Sequence, residues 1–144
     1  MKRVVEVCCY TVEDVLLAYE AGAGRVELCA DSAAGGTTPS LGLVEYVVQN
    51  VPIEVSVMIR PRGGDFAYSQ AELDIMERDI NRAAEAGAQC VVFGILTEDG
   101  FADVDTMASL ALGVQRPVLN ATSHPSSDRA QDPLGFARTL ARLG

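Results

Sequence analysis

Two periodicities alternate along the chain. Short stretches switch between apolar and polar residues at every position, and longer stretches carry apolar residues at helical spacing. Lys2–Cys9 is rich in β-formers, and Thr11 then stands as an N-cap for a helix over Val12–Ala21 that ends at Gly22. Arg25–Cys29 reads as a second strand. A loop of Gly, Ser, Thr and Pro follows over Asp31–Ser40, and Ser40 caps a helix over Leu41–Gln49 that Pro52 breaks. Ile53–Ile59 is a third strand and Arg60–Tyr68 a loop. Ser69-Gln70-Ala71-Glu72 has the form of a capping box and opens a long helix to Ala86, stopped by Gly87. Cys90–Leu96 is a fourth strand, and Asp105 is expected to cap a short helix to about Leu112. Arg116–Asn120 is a fifth strand. Asp132-Pro133 pairs a cap with Pro at the first helical position, opening a helix that runs to the last residue.

Five strand–helix units in a row predict an α/β domain of parallel strands joined by helical crossovers. No linker or low-complexity run divides it, so residues 1–144 read as a single domain. Two architectures fit: an open doubly wound sheet, and a TIM-type (β/α) barrel with about five of its eight units present. A central strand of a doubly wound sheet is covered on both faces and reads as continuously apolar. Here Glu6 and Cys8 alternate with Val5, Val7 and Cys9. Arg25, Glu27 and Cys29 alternate with Val26 and Leu28, and Glu54, Ser56, Met58 and Arg60 with Val55, Val57 and Ile59. One face asks for helices and the other for a polar lumen, which favours the barrel.

Composition narrows the function. Nearly half the residues are hydrophobic and the net charge is −9, so the chain is neither disordered nor a general nucleic-acid or anionic-membrane binder. No apolar run approaches the roughly 20 residues needed to span a bilayer, and Glu6 interrupts any signal-peptide core after Met1-Lys2-Arg3. A cytoplasmic location is the expectation. Cys8, Cys9, Cys29 and Cys90 are too few for a disulfide scaffold, contain no C-x-x-C pair, and have one histidine, His124, as company.

Four stretches carry a resemblance: Glu6-Val7-Cys8-Cys9-Tyr10, Arg25-Val26-Glu27-Leu28-Cys29, Gly35-Gly36-Thr37-Thr38-Pro39-Ser40-Leu41-Gly42, and Ile59-Arg60-Pro61-Arg62-Gly63-Gly64-Asp65-Phe66-Ala67-Tyr68-Ser69. In order and spacing they resemble the CutC family, associated with copper homeostasis. The resemblance implies a TIM-type barrel, a cytoplasmic protein and a link to copper handling. Family members are longer by about three βα units. Where the family's fifth strand ends in a Phe-His-Arg-Ala-Phe-Asp motif, this chain has Ser123-His124-Pro125-Ser126-Ser127-Asp128. His124 and Asp128 keep their places, while the Arg and both Phe are replaced.

The candidate chemistry gathers on the polar strand faces. Cys8 and Cys29 share the inward parity, with Met58 on the next strand; thiolate and thioether are soft donors suited to Cu(I). Lumen packing is the plain alternative. Glu6 and Glu27 on adjacent strands could form an acid/base pair with His124 as a further catalytic candidate, or simply a salt-bridge network with Arg25 and Arg60. Arg60 and Arg62, leaving strand three beside Pro61 and two glycines, could grip a phosphate or carboxylate, or neutralise Glu6 and Glu27. The Gly35-Gly36 to Ser40 loop meets a helix N-terminus but lacks a P-loop's Gly-Lys-Ser/Thr, so no nucleotide cofactor is expected.

Three functional expectations follow. The first is a CutC-like protein of copper homeostasis that binds Cu(I) through Cys8 and Cys29. The second is a barrel enzyme acting on a small anionic substrate through Glu6, Glu27, Arg60, Arg62 and His124. The third is a truncated, non-functional family copy. Unpaired first and fifth strands further predict a homo-oligomer or a poorly stable monomer.

Overall fold

The computed structural model describes residues 4–112, 120–123 and 129–143, the last five as backbone only. Five parallel strands, β1 (Glu6–Cys9), β2 (Arg25–Leu28), β3 (Glu54–Met58), β4 (Cys90–Phe93) and β5 (Asn120–Ser123), hydrogen-bond in the order of the sequence. Helices α1 (Val12–Glu20), α2 (Leu41–Asn50), α3 (Gln70–Ala86), α4 (Val104–Leu112) and α5 (Pro133–Leu143) follow the strands one by one. Right-handed crossovers between strands that never reverse their order put every helix on the same face of the sheet. A doubly wound sheet reverses at a switch point and carries helices on both faces. The order β1-β2-β3-β4-β5 is therefore that of a (β/α) barrel wall, and the open alternative is excluded.

Local chemistry sets the helix ends. The Thr11 hydroxyl accepts from the Asp14 N–H while Asp14 accepts from the Thr11 N–H, a reciprocal cap. Ser69 and Glu72 repeat the device at α3, and Gly87 ends that helix at φ 97°, a conformation open to glycine without strain. Ser40 caps α2 and Asp132 caps α5, both as the sequence predicts. At α4 the cap is Asp103 and not Asp105: its carboxylate accepts from the Thr106 N–H at 3.1 Å, and Asp105 lies within the first turn. The fifth strand begins at Asn120, where the sequence reading ended it, so its polar Asn-Ala-Thr-Ser run pairs with Cys90–Phe93. Residues 116–119 of the expected strand lie outside the described set.

The core lies between the outward strand faces and the helices. Val26, Leu28, Val55, Val57, Val91 and Phe93 meet Val15 of α1, Val44 and Val47 of α2, Met76 and Ile80 of α3, and Met107 and Leu110 of α4. Burying such side chains contributes roughly 1.5–3 kcal/mol each. The opposite face carries the polar and sulfur side chains. It is sheltered at the centre of the sheet, where Ser56 and Met58 are buried, and open at β1 and β5.

Candidate metal centre

The register stacks the inward residues in tiers. Glu6 pairs with Arg25 and Arg25 with Glu54, while one step of the pleat further Cys8 pairs with Glu27 and Glu27 with Ser56. In the lower tier Arg25 lies between two carboxylates: Nη1 is 3.2 Å from Glu6 Oε2 and Nε is 3.0 Å from Glu54 Oε1. The Ser56 hydroxyl donates to the same Glu6 oxygen at 3.0 Å. This is the salt-bridge network the sequence allowed, built on Arg25 without Arg60.

The upper tier, towards the carboxyl ends of the strands, is different in kind. Cys8 Sγ and Cys29 Sγ are 3.6 Å apart across β1 and β2. The Glu27 carboxylate joins them, and the three donor atoms all lie within 4.8 Å of one another. Cys29 is buried, Glu27 partly buried and Cys8 exposed. No cation pairs with Glu27 among the described residues; its partners are the two thiols. Burial, ahead of every other influence, lifts the Glu27 carboxyl above the usual carboxylate range and pushes both thiols up. The Tyr10 hydroxyl donates to Cys8, and that bond leads the causes that raise the phenol to about 12. In the metal-free protein the cluster thus favours neutral thiols, from which a metal ion must displace protons.

The donor set fits a soft ion. Two sulfurs close enough to bond one centre, with a carboxylate beside them, suit Cu(I) by softness and would accept a borderline ion less selectively. Glu27 in this position was legible as an inward carboxylate; the Glu27-x-Cys29 spacing, which puts both side chains on one strand face, was the signal for its grouping with the thiols. Glu6 shares that face but turns to Arg25, one tier away.

Arg60 and Arg62 are committed to the loops. Arg60 Nη1 donates to the carbonyls of Ala34 at 2.8 Å and Gly36 at 2.9 Å, and Nη2 donates to the Gly64 carbonyl at 2.9 Å. Its guanidinium lies 4.6 Å over the Phe66 ring, and the side chain is buried. Arg62 reaches Glu72 Oε1 at 2.6 Å, Asp65 Oδ1 at 3.0 Å and the Ala67 carbonyl at 2.8 Å. Neither group neutralises Glu6 or Glu27, and an anion arriving at either would compete with partners already in place. His124, with Pro125 and Asp128, lies outside the described residues.

A five-stranded wall of a TIM-type barrel, with a thiol pair and a carboxylate at its carboxyl-terminal mouth, is the class of protein defined here. The chain belongs to the CutC family, whose profile matches residues 3–144. It is 48% identical over 140 residues to the copper homeostasis protein cutC homolog of Mus musculus and 47% identical to that of Homo sapiens. These matches take in 97% of this chain but only 51% and 50% of the relatives, so the chain spans about half the length of the curated relatives it matches. A crystal structure of CutC from Streptococcus agalactiae superposes with a TM-score of 0.89 at 37% identity, covering 99% of this chain and 70% of that one. A phosphoenolpyruvate phosphomutase from Streptomyces platensis subsp. rosaceus reaches a TM-score of 0.65 at 14% identity, covering all of this chain and 58% of its own, a likeness of fold alone.

Proposed function

We propose that this chain serves copper homeostasis as a cytoplasmic protein, by binding Cu(I) at the barrel mouth through Cys8 and Cys29, with the Glu27 carboxylate as a neighbouring oxygen donor. The observation that carries the reading is the 3.6 Å approach of two sulfurs from different strands, with the carboxylate grouped beside them. Thiolates are the soft ligands Cu(I) selects, and Cys8 is exposed to an arriving ion. The names of the relatives support copper handling. No helix of the described residues is long and apolar enough to cross a membrane. Anaerobic titration with Cu(I) against a chromophoric chelator tests the site. Cys8→Ser and Cys29→Ser should each weaken binding by an order of magnitude or more. Unchanged affinity in both variants would remove the proposal.

We also propose that the chain associates with itself. Among the described residues neither outer strand, β1 nor β5, pairs with a further strand, and Val5 beside β1 is 62% exposed. Sedimentation over a hundredfold range of concentration should show a species heavier than the monomer; a single monomeric species throughout would sink this part of the reading.

A further inference from the structure

Met58 is buried on the inward face of β3 and has no role in the reading above. Its surroundings are particular. Cys29, Met58 and Val92 form a buried cluster of their own, separate from the main core, with Tyr10 packed against it. The β2–β3 register pairs Leu28 with Val57, so its next step sets Cys29 beside Met58. The β1–β2 pairing has already brought Cys8 to Cys29. Three sulfur side chains therefore follow one another across three neighbouring strands.

Gly36 closes this group from the loop after β2. Its φ is +94°, and a Cβ built there would lie 3.4 Å from Cys29 Sγ and 3.7 Å from Met58 Cε. A single methyl added at Gly36 would thus meet both sulfur side chains at van der Waals distance. Arg60 fixes that point by donating to the Gly36 carbonyl. A Leu would fill the place of Met58 in this buried cluster as well, so packing alone does not call for a thioether next to the thiol pair.

We propose that Met58 provides a third sulfur to the metal bound by Cys8 and Cys29, and so makes the site selective for monovalent copper over zinc. The inference rests on the copper reading and deepens it. A thioether is soft, neutral and carries no proton. It adds affinity for Cu(I) without adding negative charge or competing with protons, whereas Zn(II) draws its ligands from thiolate, imidazole and carboxylate. Cys8, Cys29 and Glu27 alone would serve zinc acceptably. The thioether is what tilts the set towards copper.

Two measurements on the whole chain test this. In competition titrations, Met58→Leu should weaken Cu(I) binding by about tenfold and leave Zn(II) binding within about twofold. Equal losses for both metals, or no loss for either, would overturn the proposal. The second measurement needs no substitution at the site. Protein grown with selenomethionine and loaded with Cu(I) should show a copper–selenium distance by X-ray absorption at the copper edge. The same protein carrying Met58→Leu should lack it. Absence of selenium from the wild-type copper shell would overturn the proposal even if Met58→Leu fails to fold. Cys8→Ser and Cys29→Ser separate the two readings. If they abolish Cu(I) binding while selenium stays outside the shell, only the role of Met58 fails; if they leave it intact, the copper site fails as a whole.

Discussion

Cys8 and Cys29 stand 21 residues apart in the chain and 3.6 Å apart at their sulfurs, because parallel pairing of β1 with β2 sets Cys8 opposite Glu27, two positions before Cys29. Neighbouring strands lie about 4.8 Å apart, so side chains of like parity on the two can meet above the sheet. Burial raises both thiols, Cys29 the more. Copper must bind thiolates, so binding releases protons and tightens as pH rises. Titration in two buffers of different ionisation enthalpy between pH 6 and 8 should show net proton release, with affinity climbing across that range. A flat profile would mean that the thiols are not the ligands.

Glu27 is expected to tie stability to pH in the metal-free protein. Its carboxyl titrates above the usual range, chiefly through burial, so the folded state holds that proton more tightly than the unfolded chain. The sign follows: this contribution is complete below the ordinary glutamate pKa and is lost as pH rises through the raised value. Urea unfolding curves from pH 4 to 7 should show this loss in the native sequence and a smaller one in Glu27→Gln.

Arg60 is a clamp between two loops. Three of its hydrogen bonds end on carbonyls, of Ala34, Gly36 and Gly64, and it stacks on Phe66. Removing it leaves those carbonyls without their charged donor, at roughly 3 kcal/mol or more. Arg60→Ala should therefore unfold at clearly lower denaturant. Amide exchange should quicken first at Ala34–Thr37, and Arg60→Lys should recover only part of the loss because a lysine has no fork.

Ser69 anchors the longest helix. Its hydroxyl accepts from the Glu72 N–H and its own N–H donates to the Glu72 carboxylate. Ser69→Ala should cost about 1 kcal/mol in chemical unfolding without altering copper affinity, since α3 lies on the far side of the sheet from the thiols. A change in copper affinity of tenfold would show that the two faces are coupled.

Gly36 is expected to be intolerant of any side chain. At φ +94° any side chain is strained by the backbone alone, and its Cβ would stand at van der Waals contact, 3.4 Å, from Cys29 Sγ, so relief of that strain would move the loop over the thiols. Gly36→Ala should lower the unfolding midpoint, by about 1–2 kcal/mol in free energy, and weaken metal binding together. Loss of stability with full metal affinity would separate the loop from the site.

The succession of strands and helices, most of the caps and the two faces of the sheet are legible in the amino-acid order alone. These are local matters: Thr11 and Ser69 bond within three residues of themselves, and alternation such as Arg25-Val26-Glu27-Leu28 follows from a two-residue pleat. The amino-acid order also carried the CutC resemblance, in contiguous motifs. At α4 it pointed to Asp105 as the cap, and the folded turn places the cap two residues earlier, at Asp103.

Which side chain meets which came only with the packing of strand against strand. Parity put Glu6, Glu27, Arg25 and Arg60 on one face but could not say at what height each lies, because height depends on the stagger between strands, which no single strand encodes. That stagger gave Glu6 to Arg25, gave Glu27 to the thiols, and left Cys29 beside Met58 under Gly36. Arg60 turned away from the acids because a guanidinium fork meets three converging loop carbonyls more completely than one distant carboxylate.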